Sequence, residues 1–241
     1  MTDLAALLQL ADAAFPAGGF GHSFGLETAI VEGRVHDGAS LRAWIESYLL
    51  DGCATLDGAA MALFLRDRAA LEPLDNRLAA AQPNAEIRRA NAHLARATLD
   101  TYLAMGIGGH AVTVDGAIAG TNDSAADAIC SYRTAIAAGR CAGIHALAAA
   151  LGYRAIGAAP AVALQAHGTT IVTACASVAA RAVPLGQREI ARIRWTLRGA
   201  IGTFGARALA AHGIDDLRAS ATGCEIDGLR HRRLPARLFA S

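Results

Sequence analysis

Few residues in this chain combine the types and spacing that chemistry requires. His22 and Ser23 stand side by side within Phe15-Pro16-Ala17-Gly18-Gly19-Phe20-Gly21-His22-Ser23-Phe24-Gly25-Leu26-Glu27. A base and its nucleophile must face each other, and the base needs a third group to orient it. Sequence neighbours rarely meet that condition and no nucleophile elbow is present, so hydrolysis is disfavoured here. Cys141 and His145 fall at i, i+4 on an expected helix, a spacing that can put two metal ligands on one face. A buried thiol near a partly exposed imidazole accounts for the same pair without metal. The other histidines are scattered, with no H-E-x-x-H. The catalytic alternative left standing is a free-standing helical, metal-dependent enzyme using His22 with Cys141 and His145.

The loop around His22 carries Gly18, Gly19, Gly21 and Gly25, and turns of this composition need positive φ or close backbone approach. Three readings stay open. It could cradle a phosphate, but the spacing is not G-x-G-x-x-G and no strand precedes it. It could be a tight connection between two close-packed helices, with Ser23 capping the second and Glu27 near its positive end. It could also be a rigid surface loop that offers Phe20 and Phe24 to a partner.

Composition narrows the function further. The 241 residues suit one large domain or two small ones, and 54% are hydrophobic, enough for a sizeable core. All 22 basic residues are arginine. Without lysine there is no P-loop and no Schiff-base or pyridoxal-phosphate chemistry. A formal charge of +1 argues against a general nucleic-acid binder. Five widely spaced cysteines, none in C-x-x-C, read as reduced thiols of a cytoplasmic protein. The N-terminus lacks the basic start of a secretory signal. Residues 155–180 are long enough for a membrane span, but Pro160, Gln165, His167 and several Thr favour a helix inside a helical core.

The elements that must position these residues are helical. Roughly a quarter of the chain is alanine, and β-branched and aromatic residues are sparse. The expectation is an all-α, single-domain bundle of about eight to ten helices over 1–221, with a basic tail over 222–241. Helices are expected over 4–12, over 26–32 with Gly33 closing it, and after Ser40 as N-cap. Others should cover 55–71, ending at Pro73, then a stretch from Asn84, then 123–138 and 140–151. A last long helix runs from near Pro184 to near Gly213, with Ile190, Ile193, Leu197, Ile201, Phe204 and Ala208 as its core stripe. Residues 106–122 read as irregular. Residues 221–241 show no helical period and carry Arg230, His231, Arg232, Arg233 and Arg237.

Three segments carry a family resemblance. Leu8-Gln9-Leu10-Ala11-Asp12, followed by the loop Phe15 to Glu27, resembles the N-terminal signature of the urease accessory protein F (UreF) family. Val183-Pro184-Leu185-Gly186-Gln187 resembles that family's second motif, and Arg237-Leu238-Phe239-Ala240-Ser241 its R-L-F-R-S ending, with Ala240 in place of the last Arg. The segments occur in family order over nearly the whole chain; the stretch 106–131 matches poorly. The resemblance implies a non-enzymatic, homodimeric scaffold in urease maturation. Such a scaffold bridges accessory protein D (also called H) and the GTPase accessory protein G, and regulates GTP-dependent nickel delivery to apo-urease. This chain would bind no cofactor of its own, nickel and GTP being handled by the wider complex, and would bind neither nucleic acid nor membrane. Gly18, Gly19, Phe20, His22, Ser23, Gly25 and Glu27 would then form a partner-facing loop. Pro184, Leu185, Gly186 and Gln187 would shape a helix start near it. Arg237, Leu238 and Phe239 would anchor a tail, disordered until bound, on protein D. Cutting the chain at Arg230 is expected to leave the fold intact.

Overall fold

The computed structural model describes residues 3–12, 14–107 and 123–240, with backbone alone at Phe20, Asp123 and Ser124. The helices are α1 (Leu4–Leu10), α2 (Leu26–Val31), α3 (Gly38–Ser47), α4 (Ala59–Leu65), α5 (Leu71–Ala81) and α6 (Ala85–Ala104). They continue with α7 (Asp123–Ala137), α8 (His145–Ala155), α9 (Pro160–Ala182), α10 (Gln187–Thr196), α11 (Arg198–Leu209) and α12 (Thr222–His231). The described residues contain no strand, so the all-α reading holds. The irregular stretch expected at 106–122 lies outside the described residues from 108 onward.

The core forms around two long rods. In the first, α3 and α4 are joined without interruption by a π-helical segment, Tyr48–Gly58. The second is α9, with α11 laid across both. Phe204 of α11 is fully buried between two glycines. A Cβ on Gly58 would come within 2.8 Å of its ring, and one on Gly168 within 3.1 Å. The two missing side chains make the slot that the ring fills, and burying a ring of this kind contributes about 3 kcal/mol. The stretches Gly38–Leu65 and Pro160–Ala182 are long and apolar enough to cross a membrane. Both are core helices here: α9 packs against α2, α4, α8, α10 and α11.

Several boundaries differ from expectation for local reasons. Asp37, not Ser40, caps α3: its carboxylate accepts the Ser40 N–H at 2.8 Å while the Ser40 hydroxyl sits 3.1 Å from the Asp37 N–H, a reciprocal capping box. Pro73 does not end a helix but lies in the first turn of α5, where no N–H is needed. The last long helix is divided. Its stripe is buried at Ile190, Ile193, Leu197, Phe204 and Ala208, but Leu197 has ψ of −5° and separates α10 from α11. Thr196 bonds its own helix at the Ile193 carbonyl (2.8 Å), a competition that loosens helical turns.

The largest correction concerns 221–241, where helix α12 covers ten residues. Its buried positions are Cys224, Asp227, Gly228 and His231, at i, i+3, i+4 and i+7. The period is helical, but the residues that carry it are polar or small, so an apolar pattern never showed.

Candidate partner-binding site

α12 and the residues after it fold back onto the glycine loop. The approach is possible because two glycines meet. Gly25, at φ +93°, is the N-cap of α2, and a Cβ there would lie 2.7 Å from the Gly228 nitrogen and 3.0 Å from the Cys224 carbonyl. Ser23 is therefore not the cap; its carbonyl accepts the Leu26 N–H at 3.0 Å and its side chain is buried. Gly18, at φ +82°, opens the short turn Gly19–Gly21. Phe24 stacks on Tyr48, ring centroids 6.3 Å apart, and the Phe20 side chain lies outside the described residues.

A charged clamp holds the fold-back. Glu27, in the first turn of α2, is buried and uses both oxygens: Oε1 accepts the Leu238 N–H at 2.6 Å, and Oε2 lies 2.7 Å from His231 Nε2. Glu86, in the first turn of α6, places Oε2 3.1 Å from His231 Nδ1 and Oε1 3.1 Å from Arg237 Nη1. His231 has no exposed surface. Both of its nitrogens face carboxylate oxygens, so the one ring ties α12 to α2 and to α6. Next to it, buried Asp227 accepts the Trp44 indole N–H at 3.1 Å and one Arg34 N–H at 3.0 Å. Beyond the clamp, the Ala240 N–H bonds the Gly21 carbonyl at 2.6 Å. Phe239 is buried, with the Arg181 guanidinium 4.5 Å above its ring.

Two of the three motifs are thus in direct contact. The third begins where α9 ends, at Val183, two residues after Arg181: Pro184, Gly186 and Gln187 are exposed and Leu185 is half-buried. Phe239, expected to anchor the tail on a partner, is inserted into the chain's own core. A cut at Arg230 would remove His231 and Phe239 and open that core, so the expectation that truncation spares the fold is corrected. Arg237 and the strongly exposed Leu238 (73%) remain at the surface. Sequence reasoning missed Glu86, Asp227, His231, Arg34 and Arg181; the 224/227/228/231 spacing was the available signal.

Cys141 and His145 do not share a helix. Cys141 lies in the turn before α8, and buried Asp75 fixes that turn by accepting the Tyr132 hydroxyl at 2.6 Å and the Gly143 N–H at 3.0 Å. Burial pushes the Cys141 thiol up to about 11, away from the thiolate a metal needs. His145 instead lines a cavity of about 150 Å³ with Tyr48, Cys53, Asp57, Thr98, His167 and Cys175. Burial pushes the Cys175 thiol to about 12 and raises Cys53 as well, so neither is a ready nucleophile. Among the described residues no group of three or more His, Cys, Asp or Glu could hold a metal ion.

The cavity does confer a pH dependence. Burial, then the neighbouring His145, lowers His167 to about 3; burial, then His22, lowers His145 to about 4. Burial, then His93, lowers His22. A histidine held neutral in the fold but protonated when unfolded stabilises less as pH falls below 6.5, and the loss continues until the folded value is reached. Asp57, raised to about 6 by burial, acts oppositely: its cost appears as pH rises from 3.8 to 6. His167→Gln is therefore expected to flatten the loss of stability between pH 6.5 and 4, and Asp57→Asn to raise stability at pH 7 but not at pH 4. Urea midpoints against pH check both, and parallel curves for all three proteins would refute the assignment.

The profile of the UreF family matches residues 35–198. The urease accessory protein UreF of Arthrobacter sp. (strain FB24) is 32% identical over 238 residues, covering 98% of this chain and 96% of that protein. UreF of Rhodopseudomonas palustris (strain HaA2) is 33% identical over 235 residues, covering 95% and 89%. UreF of Paenarthrobacter aurescens (strain TC1) is 30% identical over 241 residues, covering 98% and 97%. With a family match across most of the chain and relatives that cover nearly all of it, this chain belongs to the UreF family of urease accessory proteins.

Proposed function

We propose that this chain is a non-enzymatic cytoplasmic scaffold of urease maturation. In this reading it forms a homodimer, bridges accessory protein D (or H) and the GTPase accessory protein G, and regulates GTP-dependent nickel delivery to apo-urease. One observation carries the reading: Glu27 and the Gly21 carbonyl of the glycine loop pin the tail, and apolar side chains stay exposed on the elements that meet there. Leu238, Val31 of α2, and Ile226 and Leu229 of α12 are all exposed. The Glu32–Arg230 ion pair (3.4 Å) holds α2 and α12 together at this surface. Exposed apolar side chains set among arginines are what a protein partner buries. Gly18, Gly19, Gly21 and Gly25 shape the surface, Glu27 holds its tail, and Arg237 and Leu238 form its rim, with Pro184, Leu185, Gly186 and Gln187 opening α10. Nickel is cargo of the assembly in this account, and nucleotide belongs to the partner.

Size-exclusion chromatography with light scattering, on the chain alone and with purified proteins D and G, tests the proposal. Wild type should form a ternary complex and alter GTP hydrolysis by protein G. The double variant Ile226→Asp/Leu238→Asp should lose protein D by at least about tenfold in affinity while keeping its helical content. Unchanged co-elution of that variant would refute the assigned surface, and absence of any complex with wild type would refute the scaffold reading.

A further inference from the structure

A second face stands apart from the docked tail. Trp195, at the end of α10, is 67% exposed, the largest side chain left at the surface. The Arg198 guanidinium lies 4.4 Å above its ring and donates to the Trp195 carbonyl at 2.8 Å, which holds the indole outward. Arg188 and Arg192 precede Trp195 at i−7 and i−3, on the same helical face, and both are exposed. Among the described residues no carboxylate pairs with Arg188, Arg192 or Arg198, whereas Arg207 further along is paired with Asp51. Gly199 and Gly202 continue the face on α11, and a Cβ at either would meet nothing within 4 Å. The result is a basic strip with one fixed aromatic, followed by two open positions that carry no side chain.

We propose that this face docks an acidic amphipathic helix of a partner protein. The cations call for carboxylates, because the chain leaves them uncompensated. Trp and Arg together are the side chains that most often dominate binding energy. The missing side chains at Gly199 and Gly202 let a helix backbone come close, since interaxial distance is set by the side chains at the crossing. A second copy of this chain is a poorer occupant: a two-fold interface here would set the arginine strip against itself. Single-stranded nucleic acid is also poorer, because one indole is no stacking series and the chain's net charge is only +1. The inference is independent of the tail surface, which uses other residues.

The test uses the full chain and a synthetic helical peptide with a leucine seam flanked by glutamates, beside its lysine-for-glutamate counterpart. The indole of Trp44 is tied to Asp227 inside the fold, so acrylamide quenching reads Trp195. The acidic peptide should shield Trp195 and bind at least about tenfold tighter than the lysine peptide, and more weakly in high salt. Trp195→Ala and Arg188→Glu/Arg192→Glu should each weaken binding about tenfold or more, with circular dichroism melts unchanged and Ile226→Asp/Leu238→Asp without effect. Equal binding of the two peptides, no protection of Trp195, loss of self-association in Trp195→Ala, or tighter binding of an oligonucleotide than of the acidic peptide would each overturn the proposal. These outcomes leave the ternary-complex experiment untouched, so either reading can fail alone.

Discussion

Gly25→Ala is expected to cost about 3 kcal/mol or more and to separate α12 from α2. Two effects add. The residue has φ +93°, a conformation that costs an L side chain about 1–2 kcal/mol. The new methyl would also lie 2.7 Å from the Gly228 nitrogen and 3.0 Å from the Cys224 carbonyl. Both are backbone atoms of α12, which cannot swing aside as a side-chain tip can, so overpacking adds about 1–3 kcal/mol. Gly33→Ala is the control. It has φ +75°, but a Cβ there meets nothing within 4 Å, so only the conformational part of about 1 kcal/mol should appear. Urea titration of both variants separates strain from collision. Equal midpoints would show that the helix crossing is not as close as described.

His231→Ala should release the tail. The substitution removes the ring that both Glu27 and Glu86 contact and leaves two carboxylates facing a void. Breaking one partner out of a buried ionic group costs about 3–5 kcal/mol. Part of that cost can be relieved by letting the tail go, so water reaches Glu27. The measurement is amide hydrogen exchange at Leu238 and Ala240, whose N–H groups are bonded to Glu27 and to the Gly21 carbonyl. Exchange at both should accelerate by at least about a hundredfold, corresponding to some 3 kcal/mol. Glu27→Gln keeps the size and one acceptor oxygen, so it should show a smaller acceleration. If His231→Ala exchanged like wild type at both amides, the clamp would hold nothing. On the proposed scaffold reading, loss of the clamp should also weaken binding of protein D, because Leu238 would no longer be presented at a fixed place.

The fold was legible in the sequence wherever packing is apolar. Alanine content settled the helical class, and the 190/193/197/204/208 spacing marked the stripe that α10 and α11 bury, with Ile201 half-buried at its edge. Where a helix is held by polar contacts the same reading fails. The face of α12 is Cys224, Asp227, Gly228 and His231, and three of the four are held by a partner far along the chain: Trp44 and Arg34 for Asp227, Glu27 and Glu86 for His231, Gly25 for Gly228. No local pattern encodes such pairings. The Cys141/His145 spacing misled for a related reason. It assumed a helix that Asp75 replaces with a turn, through a contact 68 residues away.

By itself the amino-acid sequence determined the helical class, the absence of lysine chemistry, and the three segments that mark the family. Those are properties of composition and local order, and they survive without knowledge of distance. Only the tertiary structure decided that the tail is docked, that Phe239 faces inward and Leu238 outward, and that Glu27 serves as a clamp. Orientation of a side chain depends on what packs against it, and a buried carboxylate is stable only where folding brings it donors.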